Sequence, residues 1–363
     1  MYGDRESALA ARRGNVVLAH CADCDLIHNS AFDPSLVEYA PGYENALHYS
    51  PSFRNYTADL AGSWIERHRL HDKTIVEIGC GDGYFLQLLS ADGANRCFGF
   101  DPAATKPATE CSGVTIVREE FSIDALDGPV DCVVMRHVLE HVSQPRVFLT
   151  ELRQALDEQD AARLLIEVPN TSQLLSALSI WEVIYDHYTY YTGYSLRGLL
   201  ARSGFKVIRA TTRLAGQFIT AEARPASRDS AAQLGREGEL LTRKRLREFA
   251  AARDGLVDYW KSRLAAWHHA GRRVLVWGAG AKGVMFMNTV DTCHNVAAAV
   301  DINPDKAGRF VAGTGHEVLA PRDIVVAPPD IVLLTNEVYE AEIRDALGVL
   351  GLHPQVLPVS HAS

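Results

Sequence analysis

The sequence predicts an α/β protein with two parallel-sheet units, a helical linker between them and a small N-terminal segment. Three observations predict it. β-Branched runs alternate with helix-spaced apolar patterns from about residue 56 onward, an order that gives a parallel sheet with helices on both faces. The run Ile75-Val76-Glu77-Ile78 leads into Gly79-Cys80-Gly81-Asp82-Gly83, and Asp101 closes the next apolar run, Cys97 to Phe100. The same device recurs when Val274-Leu275-Val276-Trp277 leads into Gly278-Ala279-Gly280-Ala281-Lys282-Gly283, with Asp301 at the tip of the following strand.

Size and composition bound the answer. A chain of 363 residues, 47% apolar and 22% charged, is that of a globular protein with more than one domain. No apolar run approaches the roughly 20 residues of a membrane span. The start, Met1-Tyr2-Gly3-Asp4-Arg5-Glu6, lacks the apolar stretch of a signal peptide, so a cytoplasmic location is expected. The seven cysteines are scattered, and Cys80, Cys97 and Cys132 lie in or beside strand-like runs, as buried reduced thiols do. A formal charge of −9 argues against a nucleic-acid partner but leaves room for a small phosphorylated ligand held by local cations.

Residues 1–55 form a mixed N-terminal segment, with a possible strand at Asn15 to Ala19, then Cys21-Ala22-Asp23-Cys24 and an aromatic, turn-rich stretch. Residues 56–225 form the first α/β domain. A helix is expected over Tyr56 to Leu70, with strands at Thr74 to Ile78, Cys97 to Phe100, Val114 to Val117, Val130 to Met135 and Arg163 to Glu167. Lys206 to Thr212 and Gln217 to Ala223 read as a terminal strand pair. Residues 226–268 place Leu240, Leu241, Leu246, Phe249, Leu256, Trp260, Leu264 and Trp267 among charges without an interior proline, which predicts one or two long amphipathic helices bridging domains. Residues 269–363 form the second α/β domain, with strands at Val274 to Trp277, Val296 to Val300 and Asp330 to Thr335.

The first glycine turn has a specific chemistry. A buried strand must bend sharply into a helix while a ligand touches the backbone, and residues without Cβ allow both. The glycines stand two apart behind an acid, which suits a cofactor without a pyrophosphate, such as S-adenosylmethionine (SAM). The pattern resembles the first motif of class I methyltransferases. Glu77, Gly79, Gly81, Gly83 and Asp101-Pro102 are the cofactor candidates, with Asp101 placed for ribose hydroxyls. Glu120 and Phe121 follow the third strand as an acid for the adenine amine and a ring to stack on it. Arg136 and His137, after the fourth strand, lie at the carboxyl edge where open α/β sheets bind ligands. His137 and His141 stand four apart but lack a third ligand at suitable spacing, so no metal is expected. One of them is expected to face the cofactor and the other to fix a helix start.

Trp181 to Tyr191 follows the fifth strand and Glu167-Val168-Pro169-Asn170, so it too lies over the strand ends. Asp186 beside His187 among aromatics is what a positioned general base requires, since a neutral imidazole can accept a proton near neutral pH. His187, Asp186 and His141 are the catalytic candidates.

With these residues assembled, the chain resembles the SAM-dependent sugar C-methyltransferase family. The resemblance runs through Cys21-x-x-Cys24, Tyr43-Glu44-Asn45 with Ser50-Pro51, Glu77 to Gly83, Arg136 to His141, Glu167 to Asn170, Tyr185-Asp186-His187, Trp277 to Gly283 and Asp301 to Gly308. It implies a class I methyltransferase Rossmann-like sheet, a helical linker and a second Rossmann-like C-terminal domain. It also implies proton abstraction beside a ketone on a nucleotide-linked sugar, with His187 as base, and attack of the enolate on the SAM methyl. Tyr43, Asn45, Ser50, Tyr185 and Tyr191 become substrate-side candidates. Gly278, Gly280, Lys282 and Asp301 would hold the nucleotide part, unless those glycines serve tight turns alone.

Three departures stand out. One Cys-x-x-Cys pair is present where the family's zinc site uses two, and zinc is not expected even with His20 or His28 as substitutes. Asp186 replaces the usual glutamate before the histidine. Ile184 stands where many members have a further tyrosine. Two rivals remain open: an O- or N-methyltransferase on the same scaffold, and a non-catalytic module that binds SAM or a nucleotide. A NAD-dependent reading of Gly278 to Gly283 lacks a nearby hydride-transfer acid.

Overall fold

The computed structural model describes residues 1–37, 46–90, 95–105, 113–122, 128–156, 161–226, 237–291 and 294–360. Helix α1 (Arg5–Leu9) starts under the Asp4 carboxylate, which accepts from Ser7 N at 2.8 Å. Strands β1 (Leu18–His20) and β2 (Ile27–Asn29) make a hairpin. Helix α2 (Pro51–His68) is capped by Ser50, whose hydroxyl accepts from Phe53 N, and has proline in its first turn. Phe53, Thr57, Leu60, Ala61, Trp64 and Ile65 form its buried stripe.

The middle domain continues through β3 (Thr74–Ile78), α3 (Tyr84–Ser90), β4 (Arg96–Phe100), β5 (Val114–Val117), β6 (Cys132–Arg136), α4 (Pro145–Ala155) and β7 (Arg163–Pro169). It is completed by α5 (Thr171–Ser176), β8 (Thr189–Tyr190), α6 (Gly193–Arg202), β9 (Phe205–Arg213) and β10 (Phe218–Pro225). Seven strands form one sheet in the order β5-β4-β3-β6-β7-β10-β9. The first five are parallel, and β10 runs antiparallel to both β7 and β9. Every residue of β3 is buried, as a central parallel strand with both faces covered requires. Strand order reverses at β3, so the crevice beyond its carboxyl end, between β4 and β6, is where a ligand fits.

Beyond it come α7 (Glu237–His269), β11 (Val274–Trp277), α8 (Ala281–Val290), β12 (Ala298–Val300), β13 (Val318–Leu319), β14 (Ile331–Leu334), α9 (Glu340–Val349) and β15 (Gln355–Pro358). The five strands form a parallel sheet, β13-β12-β11-β14-β15, with the same reversal at its central strand. Among the described residues no helix is long and apolar enough to cross a membrane.

Two features go beyond the sequence expectation. Helix α7 is one unbroken element of 33 residues, about 50 Å long at 1.5 Å per residue. It does more than bridge: Trp260 and Leu264 enter a core shared with Trp181 of the middle domain and Phe286 of α8. Trp181 packs edge-on against Phe286 at 4.9 Å and donates its Nε1–H to the Val359 carbonyl at 3.0 Å. The second feature is a small sheet, β1-β2-β8, in which the N-terminal hairpin pairs with the strand that follows His187. Thr189 and Tyr190 are thereby held against His28 and Ile27 of β2. The expected boundary at residue 55 falls inside α2, whose proline start makes the helix longer than its apolar spacing suggested.

Candidate functional site

The glycine turn between β3 and α3 is built as the sequence predicts. Gly79 has φ +70° and Gly81 φ +54°, a left-handed backbone that side chains rarely adopt. A Cβ on Gly79 would run into Val138, whereas one on Gly81 would meet nothing within 4 Å. The open side of Gly81 is therefore the face that a cofactor can approach. Asp101 closes the turn from the tip of β4: Gly81 N donates to its Oδ2 and Ala103 N to its Oδ1, both at 2.8 Å. Each oxygen keeps capacity for a further donor, so ribose hydroxyls can join an already oriented carboxylate. Glu77, 2% exposed, leaves Oε2 without a hydrogen-bond partner among the described residues. Burial pushes its carboxyl up to about 8, opposed by Arg136 and reinforced by Asp101. An open backbone cradle, an oriented acid and a buried unsatisfied carboxyl fit SAM. Phe121 packs edge-on against Phe100 at 5.4 Å, while Glu120 is exposed.

Behind the turn lies a chain of buried charges. Glu167 of β7 receives Arg136 Nη2 at 2.9 Å and Nε at 3.2 Å, and the Tyr56 hydroxyl donates to its other oxygen. The Arg136 guanidinium also lies 4.1 Å from the Phe85 ring centre. Burial would raise the Glu167 carboxyl, but Arg136 and His137 outweigh it and hold it at about 2. His137, at φ +55°, places Nε2 3.2 Å from Glu167, off line for a hydrogen bond, and Nδ1 3.6 Å from Glu140. Burial opposes its charge, yet the two glutamates push its pKa up to about 9. Arg136 and His137, expected at the cofactor, thus have anchoring partners in the sheet.

The 3-10 turn Leu139–His141 carries Glu140 and His141 toward the loop that holds His187. The Tyr191 hydroxyl donates to the Leu139 carbonyl at 3.2 Å and positions that turn. His187 is buried, with its ring 5.1 Å from His141 and 5.8 Å from Tyr190. Burial pushes its pKa down to about 3; Glu140 opposes that fall, and His141 and His137 add to it. His187 is therefore an uncharged imidazole. His141 Nδ1 lies 2.8 Å from the Asp186 main-chain oxygen. A carbonyl only accepts, so Nδ1 carries the hydrogen. Asp186, expected to orient His187, meets His141 through its main-chain oxygen.

Glu140, His141 and His187 offer ligand atoms within 4.8 Å of one another, a donor set able to hold a metal ion. The spacing of His137 and His141 concealed it, because the third donor arrives from a distant loop. At the N-terminal hairpin, His20 Nε2 is engaged by Asp25 at 2.7 Å, beside the Cys21 and Cys24 thiols.

The remaining candidates are placed as follows. Ser50, besides capping α2, donates to Glu342 of α9 at 2.7 Å and so joins the two domains. The Tyr185 hydroxyl accepts from Asp33 N at 2.9 Å, and its ring stacks on Phe32 at 5.6 Å. Tyr191 is buried. Tyr43 and Asn45 lie outside the described residues. In the second glycine turn, a Cβ on Gly283 would run into the Gly278 carbonyl oxygen, so this glycine serves close packing. Gly280 starts α8 at an ordinary φ of −85°. Lys282, expected at a phosphate, is paired with Glu182 of the middle domain at 3.0 Å. Asp301, expected at a ribose, accepts from Ala279 N and Asn303 N at 2.9 Å and from Lys306 Nζ at 3.2 Å. The structure gives both charges intramolecular partners. Sequence reasoning missed Glu140, although it stands inside the Arg136 to His141 motif, and missed Tyr56 and Glu342.

Residues 53–210 match the model of a methyltransferase domain, and residues 213–350 match that of a C-methyltransferase C-terminal domain. No curated protein matches the chain. Among solved structures, the chain is similar to a magnesium protoporphyrin IX methyltransferase from Synechocystis PCC 6803 with bound SAH, at 18% identity, 52% of this chain, 91% of that one and a TM-score of 0.38. It is also similar to a Burkholderia thailandensis 1,6-didemethyltoxoflavin-N1-methyltransferase, at 16% identity, 57% and 99% coverage and a TM-score of 0.38. The CurJ carbon methyltransferase matches at 13% identity, 49% and 56% coverage and a TM-score of 0.38.

Proposed function

We propose, for a chain that is a SAM-dependent methyltransferase with a C-methyltransferase C-terminal domain, that it methylates a carbon beside a ketone on a small polar, nucleotide-linked sugar. The observation that carries this reading is an uncharged, buried histidine, His187, at the carboxyl edge of the sheet that also carries the glycine turn. An amine acceptor already has a lone pair; a carbon acceptor must first lose a proton, and that needs a base. The resemblance noted in the sequence supplies the class of acceptor.

When bound, SAM supplies a methyl group made electrophilic by its sulfonium. Gly81 leaves space for it and Asp101 would receive its ribose hydroxyls. His187 takes the proton next to the acceptor ketone, and the electrons of that C–H bond form an enolate. Bound SAM would supply the methyl to that carbon and leave as S-adenosylhomocysteine. Aromatic neighbours around His187 keep water from that proton.

Incubation with a nucleoside-diphosphate-linked ketohexose in deuterated water, with S-adenosylhomocysteine in place of SAM, tests the reading. Deuterium is expected at the carbon beside the ketone before any methyl transfer. Turnover with SAM but no exchange would favour O- or N-methylation instead. A second prediction concerns the cofactor. Asp101→Ala should weaken SAM by about 1–3 kcal/mol through lost ribose contacts, read by calorimetry. An unchanged affinity would count against this placement.

A further inference from the structure

We propose that the buried carboxylate of Glu140 is the counter-charge that allows His187 to hold the proton it abstracts. This rests on His187 as the base and adds a positioning residue to it. Burial keeps the imidazole neutral and ready to accept a proton, but it also makes the resulting cation costly. A dry base therefore needs an anion within reach. Glu140 is 1% exposed, and among the described residues neither of its carboxylate oxygens has a hydrogen-bond partner. Its ligand atoms lie within 4.8 Å of those of His141 and His187.

The groups around that carboxylate define its role. His137 faces it from the end of β6 at 3.6 Å, His141 from the same turn and His187 from the loop before β8, while Tyr191 lies in its field from beyond β8. Glu167, the next buried carboxylate, is engaged by Arg136 and Tyr56. Asp186 presents its main-chain oxygen to His141 and so fixes that ring. Proton uptake at His187 thus creates an imidazolium beside Glu140, and the proton ends in a buried ion pair. His141, half-buried, stands next to that pair.

The test compares the full-length wild type with Glu140→Gln, Glu140→Asp and His187→Ala on one acceptor, a thymidine-diphosphate-linked ketohexose, following S-adenosylhomocysteine release. Glu140→Gln is expected to lower kcat by about 10²-fold with the SAM Kd within about twofold, and to move the acid limb of the kcat profile to lower pH. Glu140→Asp is expected to recover at least a tenth of the lost rate. A second readout needs no acceptor: in ¹⁵N-histidine spectra, the protonation midpoint of the His141–His187 pair should fall by about one pH unit in Glu140→Gln. Wild-type kcat and acid limb in Glu140→Gln would overturn the proposal, as would an unmoved midpoint or the same shift produced by Asp186→Asn instead. Activity abolished by a chelator and restored by a divalent cation would also overturn it, because His187 would then be a ligand. Retained turnover in His187→Ala would remove the base itself. An inert His187→Ala beside an unaffected Glu140→Gln would remove only the role given to Glu140.

Discussion

Replacing His187 by alanine should lower kcat by about 10²–10⁴-fold and leave the SAM Kd nearly unchanged. The separation follows from position. SAM would rest on the turn after β3 and on Asp101, whereas His187 belongs to the loop before β8 and contacts His141 and Tyr190. Removing an uncharged ring leaves no stranded charge, so the loss should register in kcat before it registers in folding. His187→Asn, closer in size, serves as the control for the cavity. Calorimetric SAM binding with full loss of methyl transfer is the expected pair of results. Turnover near wild type would sink the assignment.

The largest effect on stability is expected from Glu167→Ala, at about 3–5 kcal/mol in urea denaturation. The carboxylate is buried and engages Arg136, His137 and Tyr56 together, so its removal strands two cations in the sheet. The pH dependence follows with definite signs. Glu167 is held at about 2, so its contribution is fully present above the unfolded value of about 4.3 and is lost as pH falls toward 2. His137 is raised to about 9, so its contribution is complete below about 6.5 and is lost as pH rises through 9. The urea midpoint of the wild type should therefore decline between roughly pH 6.5 and 9, and His137→Asn should flatten that decline. A profile unchanged by that substitution would contradict the network.

The sheets were legible where a strand carries its own pattern. β3 and β11 are runs rich in β-branched and apolar residues that lead into a glycine turn, and sequence and structure agree on their ends. β2 and β8 were not legible, because three and two residues show no periodicity and their pairing joins distant parts of the chain. The apolar spacing of α7 revealed a helix but not that Trp260 completes a core with Trp181 and Phe286, since a spacing does not name its partner. The site divides in the same way. Glycine turns are local geometry and could be read from one segment. Glu140 could not, because an acid in a short turn reads as solvated until the packing of Leu139, Tyr191 and His187 around it is known. Adjacency in sequence also hid a contact of Asp186, whose carbonyl meets His141 from 45 residues away.

Lys306 gives the second glycine turn a different character from the first. Its ammonium lies on the Asp301 carboxylate from five residues away, while backbone donors occupy both oxygens. Seen as a binding equilibrium, Oδ2 has a tethered occupant with which a diffusing hydroxyl must compete. An incoming hydroxyl would find Oδ2 filled by Ala279 N and Lys306 and could donate to Oδ1, which holds Asn303 N alone. The two acids at the strand tips thus differ in how much carboxylate they leave to a ligand: both oxygens of Asp101 and one of Asp301.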